Sequence, residues 1–241
     1  MMKISLKKLS LIPIFIVTLL LTGCMYPTDE KVKLETPYPE QLDSIQKAVN
    51  SYQKSTNGLL PIKTRDLSTD IYIKYPIEFS KIVPAYIEKI PVNAYENGGI
   101  YQYVLTEVEE NPTVKLVDLR VAERIRELNL RKNINGYVPF KESVGKNVFA
   151  IDYKKMGYEK AVTVPSPYSD AHLPLIVGGD GKFYIDYSLE LNRLLKEMKP
   201  KVKKGEDIRF LLADNYPVLP AYSLPYTVNN QNEPVFMDKS K

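Results

Sequence analysis

Hydrophobic positions recur with helical spacing in three stretches of the chain. Leu42, Ile45, Val49 and Tyr52 lie at steps of 3, 4 and 3. That spacing predicts one helix from about Glu40 to Thr56, stopped by Asn57-Gly58 with Gly in a left-handed cap. Val121, Ile125 and Leu128 mark a second helix, Leu119 to Lys132, ended by Asn135-Gly136. Leu191, Leu194, Leu195 and Met198 mark a third, Ser188 to Met198, with Ser188 as its cap. A short helix is expected from Asp207 to Ala213, and another, broken by Pro84, from Phe79 to Ile90.

Between the helices the pattern shortens to strands. Ile71 to Tyr75 is strand-like. Ile100 to Val108 and Thr113 to Val117 flank the turn Glu109-Glu-Asn-Pro112 and read as a hairpin. Val148 to Tyr153 and Leu173 to Val177 follow. Gly178-Gly-Asp-Gly181 then turns the chain into Phe183 to Tyr187. From Tyr216 onward Pro217, Pro220, Pro225 and Pro234 dictate an extended tail. Helices interleaved with antiparallel hairpins give an α+β fold.

The chain also repeats itself. Asn57-Gly-Leu-Leu-Pro-Ile-Lys63 matches Asn135-Gly-Tyr-Val-Pro-Phe-Lys141 at an offset of 78. At the same offset Ile73-Lys-Tyr75 matches Ile151-Asp-Tyr153. Ile90-Pro91 pairs with Val164-Pro165, and Gly99-Ile-Tyr101 with Gly181-Lys-Phe-Tyr184. Ile45, Val49 and Tyr52 map to Val121, Ile125 and Leu128 at an offset of 76, which implies two extra residues before the second Asn-Gly. The expectation is two similar small units, 40–118 and 119–199, each a helix packed on a short antiparallel sheet. Residues 200–241 add the short helix and the extended Pro-rich tail.

The N-terminus carries a different signal. Lys3, Lys7 and Lys8 precede an apolar run from Leu9 to Leu21, too short for a comfortable membrane span and suited to an export signal. The run ends in Leu21-Thr22-Gly23-Cys24, which resembles the lipobox of bacterial lipoproteins. That resemblance implies a signal peptide over 1–23, a diacylglyceryl group on Cys24, and a tether over 24–39. An uncleaved N-terminal anchor with an incidental Cys would also hold the protein at a membrane. Two acyl chains suffice for stable anchoring.

Composition then narrows the chemistry. The whole chain has 33 basic and 29 acidic residues, a net charge of +4. Removing Lys3, Lys7 and Lys8 leaves 30 against 29, so the basic balance belongs largely to the leader. The one dense basic run, Lys199-Pro-Lys-Val-Lys-Lys204, reads as a solvated linker, with anionic lipid or wall polymer as the functional alternative. Nucleic-acid binding, which needs a concentrated basic face, is not expected. A single Cys excludes an intramolecular disulfide, and a single His excludes multi-histidine metal sites. No Gly-x-Ser-x-Gly elbow, phosphate loop or dinucleotide fingerprint occurs either, so catalytic, metal and cofactor sites are expected to be absent.

One cluster, Ser166-Pro-Tyr-Ser169-Asp170-Ala-His172, gathers Ser, Asp and His in a single loop. A serine nucleophile needs its base within hydrogen-bond reach, and neighbours in a Pro-rich loop rarely achieve that. Asp170 and Asp180 are candidates to approach each other across the second hairpin, but a calcium site would need six or more oxygens.

The first unit also resembles a known family. The pattern Ile45-Gln-x-Ala-Val-x-x-Tyr52, Asn57-Gly-x-x-Pro61, Val83-Pro-x-Tyr86-Ile, Ile90-Pro91 and Gly98-Gly-x-Tyr101-x-Tyr103 is similar to the head region of type II secretion pseudopilins and type IV pilins. The resemblance, over roughly residues 42–105, implies a helix on a small antiparallel sheet and a taste for protein–protein contact. Pilins carry a prepilin peptidase site before a long apolar helix. A lipobox replaces both here, which speaks against filament assembly. As a whole the chain resembles a small membrane lipoprotein of a Bacillus-like, low-GC Gram-positive bacterium.

The resulting expectation is a non-catalytic binding or assembly module of the cell envelope. It would sit on the extracytoplasmic face of the cell membrane, held by its N-terminal lipid beside an envelope protein partner. The alternative is a lipid-anchored hydrolase of wall or protein, with His172 as base and Asp170 as orienter. A solute receptor of a transporter would instead need two lobes with parallel sheets.

Overall fold

The computed structural model describes residues 39–237. The leader, Cys24 and the tether up to residue 38 lie outside the described residues. The architecture is α+β. Helix α1 spans Pro39–Ser55 and buries Ile45, Ala48 and Val49. Strands β1 (Tyr101–Thr106) and β2 (Thr113–Asp118) form an antiparallel hairpin. Helix α2 (Leu119–Asn135) follows with no intervening loop. Asp118 caps it by accepting the Arg120 N–H, and Gly136 ends it at φ 76°. Five further strands build one sheet: β3 (Phe140–Gly145), β4 (Val148–Ile151), β5 (Thr163–Pro165), β6 (His172–Gly178) and β7 (Phe183–Ile185). Helix α3 (Ser188–Met198), helix α4 (Phe210–Asn215) and a terminal hairpin, β8 (Tyr226–Val228) with β9 (Pro234–Phe236), complete the chain.

The two units share one hydrogen-bond pattern. In the first, the Glu78 N–H donates to Pro61 O, and Ile62 bridges Ile77. In the second, the Asp152 N–H donates to Pro139 O, and Phe140 pairs with Ile151. Pro61 and Pro139 are thus equivalent, as the sequence predicts. The partner of Ile151 is not Ile73, however. Ile77-Glu78-Phe79 stands where Ile151-Asp152-Tyr153 stands, so the offset there is 74. The same offset carries Ile82, 0% exposed, onto Met156, 2% exposed, and Ile90-Pro91 onto Val164-Pro165. Ile71–Ile73, expected as strand, is a single 3-10 turn whose first N–H groups are tied down by Asp70.

The hairpins correspond too, though not as the glycines indicate. Ile77 donates its N–H to Tyr103 O, which makes β1 the counterpart of β6. Tyr101, Tyr103 and Leu105 then match Leu173, Leu175 and Val177, all inward and all in the core. Gly181 to Tyr184 therefore belongs to the second strand of its hairpin, whereas Gly99 to Tyr101 enters the first. Glycine is required where a turn is tight, and both sites qualify, so the shared glycine misled the alignment.

The tail joins the two halves. The Leu116 N–H donates to Pro217 O, and Leu116 O accepts from the Leu219 N–H. Five residues on from Pro217, Tyr222 O accepts the Ile185 N–H. Leu116 pairs with Tyr103, and Ile185 pairs with Leu175, so the tail occupies the same edge of each hairpin. It is extended, as its prolines require, and buries Val218, Leu219, Ala221, Leu224 and Tyr226.

Tyr226 anchors this strap. Its hydroxyl donates to Asp186 Oδ1 at 2.8 Å and accepts the Tyr187 N–H at 3.0 Å. Replacing Tyr226 by Phe leaves the Tyr187 N–H without its acceptor in a buried place and leaves Asp186 Oδ1 with the Ser188 N–H alone. It should cost about 1–3 kcal/mol, read as a lower urea midpoint with an unchanged slope.

Candidate functional site

The Ser166–His172 loop connects β5 to β6, and the structure separates its polar side chains. Ser166 Oγ donates to Glu190 Oε1 at 2.6 Å, and Ser169 Oγ makes a shorter hydrogen bond to the same oxygen. Glu190 lies on α3 and is 1% exposed. Its other oxygen accepts from Arg193 Nε at 3.1 Å and Nη2 at 3.0 Å. Arg193 reaches on to Tyr216 at the root of the strap. The two serines, Glu190 and Arg193 therefore form a closed network that pins the loop to α3. Burial works to raise the Glu190 carboxyl's pKa, but the hydrogen bonds from Ser166, Ser169 and Arg193 outweigh it and hold the group below its ordinary value.

His172 is exposed at the start of β6, opposite Pro165. Asp170 is exposed in the loop and Asp180 sits in the β6–β7 turn, where it accepts from the Tyr184 hydroxyl at 2.6 Å. The two acids lie at opposite ends of β6, a seven-residue strand, or about 20 Å apart at ordinary strand rise. The expectation that they approach each other does not hold.

What His172 does face is a groove of about 790 Å³ between α2 and β5. Its helical wall carries Arg120, Glu123, Arg124, Arg126, Glu127 and Leu130. Its other wall is Thr163-Val164-Pro165 with His172. Arg120 is held by the buried Asp118, with Nη2 at 2.7 Å from Oδ2. Arg124 pairs with Glu127 at 3.0 Å. Sequence reasoning named His172 but missed the arginines, because an outward helix face reads as solvated charge. Glu190 was also missed, although it stands one turn before Leu194 on the apolar stripe, an unusual place for an acid. The Lys199–Lys204 run is a largely exposed loop, with Lys204 Nζ 3.4 Å from Asn230.

Residues 38–118, from just before α1 to the end of β2, match the sequence model of the YphF family N-terminal domain. This stretch coincides with the first helix-and-hairpin unit. Neither the curated proteins nor the solved structures yielded a match.

Two substitutions test the network. Because the folded-state pKa of Glu190 is lowered, its contribution to stability is present above the unfolded carboxylate pKa and is lost as pH falls through the folded one. Glu190→Gln should cost about 1–3 kcal/mol at neutral pH and flatten the acid limb of the stability curve, followed by urea unfolding from pH 7 to pH 3. The Tyr168 hydroxyl is buried with no hydrogen-bond partner among the described residues. Tyr168→Phe should therefore be neutral or stabilising by up to about 1 kcal/mol, opposite in sign to Tyr226→Phe.

Proposed function

We propose that the protein is a lipid-anchored, extracytoplasmic binding or assembly module of the bacterial cell envelope. In this reading the export signal delivers the chain across the membrane. Cys24 takes the diacylglyceryl group, and the tether presents the α+β body to an envelope partner. No helix among the described residues is long and apolar enough to cross a membrane; in this reading attachment is through the lipid on Cys24. Nucleic acid is not among the proposed partners.

The observation that carries the binding reading over hydrolysis is where the loop hydroxyls go. Ser166 and Ser169 both spend their donors on Glu190, while His172 sits on the outer face of β6. A serine nucleophile needs the opposite arrangement, hydroxyl toward imidazole. The groove beside His172 is an open, polar surface of the sort that holds a ligand by side-chain contact.

Anchoring is tested with an alkyne analogue of palmitate fed to cells. The wild-type chain should carry the label and stay with membranes. Cys24→Ser should lose both the label and retention after removal of the leader. Retention of Cys24→Ser to the wild-type degree overturns the lipid anchor. Crosslinking of the anchored protein in cells, followed by mass spectrometry, should return one defined envelope complex. Turnover of a wall fragment by purified protein, lost in His172→Ala, would replace the binding reading with the hydrolytic one.

A further inference from the structure

The repeat shows which parts of the His172 groove are new. The first unit has a groove at the corresponding place, between α1 and the Ile90-Pro91 segment. It measures about 310 Å³ and is lined by Gln41, Ser44, Ile45 and residues 86–92. By the 76-residue offset of the helices, Arg120, Arg124 and Arg126 stand where the first unit has Ser44, Ala48 and Asn50. By the 72-residue offset of β1 and β6, His172 stands where the first unit has Ile100. Of these first-unit residues only Ser44 lines the smaller groove, whose charged lining is one acid and one base, Glu88 and Lys89; the larger groove has three arginines and His172. Tyr86 and Ile87, which line the smaller groove, correspond by count to Lys160 and Ala161. Tyr86 packs edge-on against Tyr52 at 5.7 Å, and loss of that bulk fits the wider space.

From this contrast we infer that the α2–β5 groove is a binding site for a polyol or sugar phosphate. Each lining type has a role in that ligand. Guanidinium groups recognise phosphate oxygens by charge-assisted, paired hydrogen bonds. Arg120 is pre-set by the buried Asp118 at its back, which lowers the cost of ordering it. Arg126 has no ion-pair partner among the described residues. Arg124 holds only Nη1 to Glu127. Glu123 and the Thr163 hydroxyl suit the ligand's hydroxyl groups, which a bare anion lacks. Leu130, Val164 and Pro165 offer an apolar strip for its carbon skeleton. His172 lines the same groove, with ring nitrogens able to hydrogen-bond a phosphate oxygen.

The inference rests on the binding-module reading for its setting, but the groove stands whether or not Cys24 is acylated. The two therefore fail separately: palmitate labelling tests the anchor, and ligand binding by the purified chain tests the groove. His172 is the single histidine of the sequence, so its ring-proton signal in a magnetic resonance spectrum reports on the site alone. The full chain in non-ionic polyoxyethylene micelles is titrated with glycerol phosphate, inorganic phosphate and glycerol. Glycerol phosphate should shift the His172 signal saturably, inorganic phosphate should act more weakly, and glycerol should do nothing. Arg124→Gln with Arg126→Gln, both exposed in the fold, should weaken glycerol phosphate at least about tenfold, the scale of losing charge-assisted donors. Their thermal unfolding should be unchanged. Lys201→Gln, Lys203→Gln and Lys204→Gln together should leave binding intact. Dihexanoyl phosphatidylglycerol, used below its micelle concentration, separates the sources: tighter binding than glycerol phosphate marks a lipid headgroup, weaker binding a soluble polyol phosphate. The assignment is overturned if glycerol phosphate gives no saturable shift. It is equally overturned if the arginine pair is dispensable, if inorganic phosphate binds as tightly as glycerol phosphate, or if the lysine variant is the one that loses binding.

Discussion

The pairing of the C-terminal strap with two equivalent strand edges is the constraint on which the rest depends. A two-stranded hairpin is marginal in water by itself, and its outer edge is a row of unpaired backbone groups. Leu116 on β2 and Ile185 on β7 hold the same position in the two units. The strap satisfies the first through Pro217 and Leu219 and the second through Tyr222. Its apolar side chains then fill the space between. Strap residues Val218, Tyr226 and Val228 belong to the same core cluster as Ile45 of α1 and Leu191 of α3. Neither unit finishes its sheet alone, so 39–237 packs as one body although its sequence is built from two similar parts.

Charge is arranged to support that strap. Arg209, 5% exposed, bonds Asp207 through Nε and Nη2 and reaches Asp70 and Ser223 through Nη1. It also lies over the Tyr72 ring at 4.9 Å. A buried guanidinium is tolerable only when its donors are used, and here they tie a loop of the first unit to the tail. The same local device appears at Asp118-Leu-Arg120, where Asp118 accepts from both the backbone and the side chain of Arg120. The two copies face different surroundings. Arg209 is sealed inside the fold, and Arg120 opens on the groove. One two-residue motif thus acts as a rivet in one place and as a wall of the candidate site in the other.

The helices were legible because a buried stripe forces apolar residues into a 3.6-residue period, and Ile45, Val121, Leu128 and Leu191 obey it. Their caps were less so. Ser188, expected as the cap, is the first residue of α3, and Asp186 accepts its N–H instead. Strand β3 reads Phe-Lys-Glu-Ser-Val-Gly and is almost wholly exposed, so it has no alternation to detect. Strand β5 is three residues long and ends in Pro165. The segment from Phe79 to Ile90 holds a 3-10 turn over Phe79–Lys81 followed by turns, not an α-helix. The prolines announced an extended tail but carried nothing about its partners, since its backbone pairings with the two hairpins join residues from 37 to 103 positions apart. The candidate site was legible only at His172. Glu190 had a visible signal, an acid on an apolar stripe, whereas the arginines gained meaning only from the fold that set α2 beside β5.

The loop and the groove share a boundary and divide the work. Pro165 lines the groove, and its neighbour Ser166 turns inward to Glu190. One side of this short segment is therefore fixed by a buried carboxylate that has at least four donors around it. The other side is left to meet solvent. A ligand wall built on a loop is imprecise unless something behind it locks the backbone, and the Glu190 network supplies that lock, with Arg193 extending it to Tyr216 and so to the strap. Rigidity at the groove then derives from the same tail that completes both hairpins. Loosening the strap should blur the groove before it unfolds the sheet, because β5 has only three pairs to hold it and no helix of its own.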